Sequence, residues 1–147
     1  MLFKRILFPL LIGWLVVGSA LSGCSGQAAD EHVLPMAPRS QMPAEVQSAP
    51  VTVQQAYQFA VANPDVLQRL PCYCGCGKIG HTSNYACYVA GVEASGAVKF
   101  DSHALGCSIC VDITQDAMRL LKQGQSVADI KQYVDAAYAK YGASNMP

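Results

Sequence analysis

Three cysteines alternate with single residues in Pro71-Cys72-Tyr73-Cys74-Gly75-Cys76, and this stretch limits the folding of the 147-residue chain more than any other. Neighbouring cysteines in such a run are badly placed for an easy mutual disulfide. A turn permitted by Gly75 and Gly77 can instead aim several sulfurs at one centre. The spacing therefore favours shared metal ligation or disulfides to distant partners.

The distant partners are at hand. Cys87 stands alone, and Cys107-Ser108-Ile109-Cys110 forms a Cys-x-x-Cys pair at the expected start of a helix. Unpaired N–H groups and the positive end of the helix dipole stabilise thiolate over thiol there. Thiolate is the form that binds metal and attacks disulfides. His81 and His103 lie close enough in sequence to supply nitrogen ligands, although either could equally be a solvated loop histidine. Folding that joins the two groups would make Cys72, Cys74, Cys76, Cys107 and Cys110 the principal ligands, Cys87 a further one, and His81 and His103 the completions.

Three chemistries compete for these residues. Six thiols and two imidazoles suit a soft ion, with Cu(I) ahead of Zn(II) because no full Cys/His set follows zinc-finger spacing. An even number of cysteines in a small secreted domain is also the pattern of a disulfide framework. Cys107 and Cys110 could alternatively exchange disulfides, but a thioredoxin-like fold needs a buried strand before the motif, and the sequence offers none that convinces. No phosphate-binding glycine loop, nucleophile elbow or zinc-protease helix motif occurs, so no enzymatic activity is expected.

The surrounding pattern is helical. Val53, Ala56, Tyr57, Ala60 and Val61 share a helix face from Val51 onward, with Thr52 and Gln55 at capping-box spacing and Pro64 forcing a stop by Asn63. Asn63 and Pro64 can open a short second helix through Leu70. Cys110, Ile113, Ala117, Leu120 and Leu121 form another stripe ended by Gly124. Ser126 then opens a helix facing Val127, Ile130, Val134, Ala137, Tyr138 and Tyr141 inward. The glycine- and serine-rich middle reads as loop with a short hairpin between Val89 and Phe100. The expected fold is mainly α, about four helices around a Gly/Cys-rich irregular segment.

The N-terminal residues read differently. Lys4 and Arg5 precede an apolar run from Ile6 to Ala20, too short to span a bilayer comfortably, and Leu21-Ser22-Gly23-Cys24 looks like a lipobox. Residues 1–23 are thus expected to be a signal peptide, 24–50 a lipidated cysteine and a flexible proline-rich tether, and 51–147 the cysteine-rich helical domain. Acyl chains on Cys24 would anchor the mature protein on the outer face of a membrane, with another extracytoplasmic metal-handling protein as a possible partner. Ten basic against ten acidic side chains provide no bulk positive charge for nucleic acid.

The six-residue motif, followed by Gly77-Lys78, His81, Cys87 and the later Cys107-x-x-Cys110, resembles the bacterial family of lipoproteins called PCYCGC-motif proteins. The resemblance covers roughly Val51 to Tyr141 and the lipobox. It implies a secreted lipoprotein and groups the cysteines, and it identifies no substrate.

Overall fold

A computed structural model describes residues 33–146. The signal peptide expected over 1–23, the acylation expected at Cys24 and the first part of the tether lie outside the described residues. Among the described residues five α-helices run in chain order: α1 (Ala44–Gln47), α2 (Val51–Ala62), α3 (Pro64–Leu67), α4 (Ser108–Lys122) and α5 (Val127–Tyr138). One antiparallel hairpin, β1 (Val89–Val92) with β2 (Val98–Phe100), lies between α3 and α4. The fold is mainly α with a small hairpin, as the helical stripes and the glycine-rich middle require. None of the described helices is long and apolar enough to cross a membrane.

Helix α2 packs on α4, and α4 on α5. The face of α2 that turns inward is Ala56, Tyr57, Phe59 and Ala60, while α4 buries Cys110, Val111, Ile113, Thr114 and Ala117. Tyr88 crosses between them. Its ring meets Tyr57 edge-on at 5.0 Å, and its hydroxyl donates to the Cys110 carbonyl at 2.8 Å. The helix ends follow local rules. Gly124, at φ +77°, closes α4 with bonds from its own N–H to Leu121 and from Gln125 to Leu120, a Schellman ending, and Ser126 Oγ accepts the Asp129 N–H to start α5.

Four expectations need correction. The stretch read as tether packs from residue 37 onward: Ala37, Met42 and Val46 are buried, and Ala37 exchanges hydrogen bonds with Gln58 of α2. Prolines space these apolar residues so irregularly that no periodic stripe betrays them. The capping box at Thr52 and Gln55 does not form, because Pro50 is the cap residue and its carbonyl takes the Val53 and Gln54 N–H groups. Asn63 does not cap α3 with its side chain, which turns back to donate to Phe59 and Pro35 carbonyls. Tyr141 is 53% exposed rather than inward. It lies on a 3-10 turn, Ala139–Tyr141, whose tighter winding carries it off the buried stripe of α5.

Candidate metal centre

The chain leaves α3 through the fully buried Leu70 and Pro71 and enters the cysteine run. Gly75 adopts φ +84°, a left-handed conformation that a side chain would strain, and so turns Cys76 into a 3-10 turn, Cys76–Ile79. Gly80, at φ +93°, ends that turn and releases the chain toward His81. A second 3-10 turn, Tyr85–Cys87, delivers Cys87, and a third, His103–Leu105, delivers His103. Cys107 is the N-cap residue of α4, and Cys110 sits in the helix's first turn.

All eight side chains singled out from the sequence come together. Cys72 Sγ lies 3.3 Å from Cys110 Sγ and 3.4 Å from Cys74 Sγ, and Cys74 Sγ lies 3.6 Å from Cys110 Sγ. Cys74 Sγ is 3.4 Å from His103 Nε2, and Cys76 Sγ is 3.7 Å from Cys87 Sγ. The six described cysteines are free, whereas a disulfide needs about 2.05 Å between sulfurs. Sulfurs sharing a tetrahedral ion with bonds of about 2.3 Å stand about 3.8 Å apart, close to the separations seen.

Four groups have all their ligand atoms within 4.8 Å of one another: Cys74, His103, Cys107 and Cys110; Cys76, His81, Cys87 and His103; Cys72, Cys74 and Cys76; and Cys72, Cys87 and Cys110. Cys72, Cys74 and Cys110 are a further trio, mutually within 3.6 Å. The cluster could hold a metal ion.

Two neighbours that the sequence reading missed brace the cluster. Asp101 Oδ1 accepts the His103 N–H at 2.7 Å, and its Oδ2 lies 3.4 Å from His81 Nε2. A proton on Nε2, facing that carboxylate, leaves the lone pair on Nδ1, which is buried with no hydrogen-bond partner. Metal-bound histidines commonly show this carboxylate-backed arrangement. Asn145 is the second brace. Its Oδ1 accepts the Cys72 N–H at 2.7 Å, its own N–H donates to the Cys72 carbonyl at 3.1 Å, and its Nδ2 reaches Cys76 Sγ at 3.4 Å and the Ser83 carbonyl at 3.1 Å. Asp101 stands two residues before His103 and was findable as an acidic neighbour. Asn145 lies 73 residues from Cys72 and carries no motif.

Electrostatics divides the sulfurs. Hydrogen bonds from Cys110 and Cys87 pull the Cys72 thiol far below its ordinary range. The Cys110 thiol is pushed up, chiefly because it supplies a proton to Cys72. Burial raises Cys74 and Cys76. The first negative charge of the cluster thus resides on Cys72, and the other protons must be displaced by a cation that repays the burial. Most of the cluster is covered, but Cys74 and Cys107 are half-buried. A cleft of about 490 Å³ borders Cys74, between Gly75, Lys78 and the tail around Gly142, and another of about 310 Å³ borders Cys107.

The sequence profile of a family described as "Protein of unknown function with PCYCGC motif" matches residues 15–147. The chain belongs to that family. No curated protein and no solved structure matches the chain. In this PCYCGC protein the motif's three cysteines face one another as one of the four ligand groups, and each also belongs to a second group.

Proposed function

We propose that this PCYCGC protein binds a soft metal, Cu(I) before Zn(II), and stores it or hands it on outside the cytoplasm, held at a membrane by lipid on Cys24. The observation that carries the reading is convergence. Six sulfurs and two imidazoles from three 3-10 turns, the loop residues beside them and a helix start share one partly shielded centre. Thiolate-rich sets select soft ions. Two of the four groups provide only three ligands, all sulfur, which suits the low coordination of Cu(I) better than the four ligands zinc prefers. The half-buried Cys74 and Cys107, each beside a cleft, give an acceptor a route to the metal.

The two readings set beside it fare less well. Three disulfides would separate the sulfurs into pairs, whereas Cys72 and Cys74 both approach Cys110. For disulfide exchange, the segment leading into α4 is a 3-10 turn and not a strand. Competition with a chromogenic Cu(I) chelator tests the proposal. The reduced protein should withdraw copper from the chelator, and Cys74→Ser and Cys110→Ser should each lose affinity at least tenfold. Unchanged affinity and stoichiometry in both variants would end the shared-site reading.

A further inference from the structure

The way the four ligand groups overlap carries more than metal binding as such. Any two of them have one residue in common. Cys74 joins the Cys107 group to the motif group, Cys110 joins the Cys107 group to the Cys72/Cys87 group, and Cys76 joins the motif group to the His81 group. Cys87 joins the His81 group to the Cys72/Cys87 group, Cys72 joins the latter to the motif group, and His103 joins the Cys107 and His81 groups. Four centres with one shared ligand on each connecting edge form a tetrahedron, in which the close trio Cys72, Cys74 and Cys110 occupies the three edges of one face and marks that open face, not a fifth centre. We propose that the site is built for a cluster of four Cu(I) ions bridged by thiolates, an inference that rests on the soft-metal reading above.

The ligand count closes. A thiolate has lone pairs enough to bridge two metals, and an imidazole nitrogen has one. Taking Cys72, Cys74, Cys76, Cys87 and Cys110 as bridges, with Cys107 and His81 as terminal ligands, gives each of the four centres three ligands without calling on His103. His103 then adds a nitrogen to one of the two centres it touches, and its edge is the unbridged one. Three-coordination by sulfur suits Cu(I), whereas a zinc ion at either all-sulfur group of three would lack its fourth ligand. Charge also balances tolerably. On loading, the thiols that still carry protons release them to solvent, and four Cu(I) ions against six thiolates leave two negative charges, with no oxidation or reduction.

A second observation points to the same centre. His81 is 8% exposed and its buried Nδ1 has no hydrogen-bond partner. As the terminal ligand of one centre it would be satisfied, and Asp101 behind the ring would hold it in place.

The test is native mass spectrometry of the full mature chain, reduced and anaerobic, during stepwise addition of Cu(I) with excess glutathione as competitor. The expected course is cooperative, with metal-free and four-copper species dominating and few intermediates, because bridging ligands make each ion organise the next. Cys107→Ser combined with His103→Ala, which leaves one centre only Cys74 and Cys110, should lower the capacity by one ion. Cys74→Ser, which removes a bridge, should abolish the cooperative step, and the circular dichroism of both variants checks that they fold. Saturation at any other whole number of copper ions would overturn the tetranuclear cluster while leaving soft-metal binding intact. Failure to take any copper from glutathione would overturn both.

Discussion

At the scale of single residues, the sulfurs need help from groups that never touch metal. Asp101 is one, because it backs His81 and fixes the turn that carries His103. Asp101→Asn keeps an acceptor for the His103 N–H but weakens the hold on the imidazole. Copper affinity should fall about 10- to 100-fold with little change in folding, read by chelator competition and thermal melting. Asn145 is the other. Asn145→Ala strands the Cys72 N–H and frees the tail, so stability should drop by about 1–3 kcal/mol and bound metal should leave faster, measured by denaturation and by transfer to a chelator. Unchanged release would mean the tail is not part of the cover. Gly142 allows that tail to pass, since a Cβ there would stand 2.9 Å from the Tyr73 carbonyl. The cysteines were legible in the sequence through their number and spacing, and the histidines only as candidates beside them, because a solvated loop histidine has the same sequence surroundings. Their braces were not, because an aspartate or an asparagine becomes informative only through contacts made across the fold.

At the scale of elements, propensity and periodicity served the long helices well. The α4 stripe, its Gly124 ending and the Ser126 start of α5 follow from local rules, and the Ser126 cap forms as the sequence implies. Ser126→Ala should cost about 1 kcal/mol in chemical denaturation and leave metal binding unchanged, since the cap is distant from the cysteines in the chain and acts on α5 alone. Short pieces were harder to read. Phe59 is buried beside the expected stripe of α2, and α1 has four residues, too few for any period to show. Residues 37–46 looked like linker because proline-rich composition is shared by tethers and by chains laid flat on a helix. What separates the two is a match of backbone bonds, such as the Ala37 pairing with Gln58, which no single segment reveals.

At the scale of the molecule, a small core is tied to a polar centre, and both depend on solution conditions. Burial, with the Asp135 carboxylate 2.7 Å from its hydroxyl, pushes Tyr73 up to about 12, and burial raises Tyr57, Tyr88 and Tyr138 as well. A raised acid stabilises the fold below its unfolded pKa of about 10, and that contribution is lost as pH rises toward the folded value. Stability should therefore decline above about pH 10, and absorbance titration should find Tyr73 ionising near 12, a component missing in Tyr73→Phe. The most direct measurement is paired native and denaturing intact mass of the mature protein, secreted by a bacterial host supplied with copper and zinc and kept free of added reductant and chelator. A shared soft-metal centre requires added copper mass under native conditions and a denatured chain with its six described cysteines reduced. A metal-free chain six hydrogens lighter, with those cysteines joined in disulfides, would contradict it.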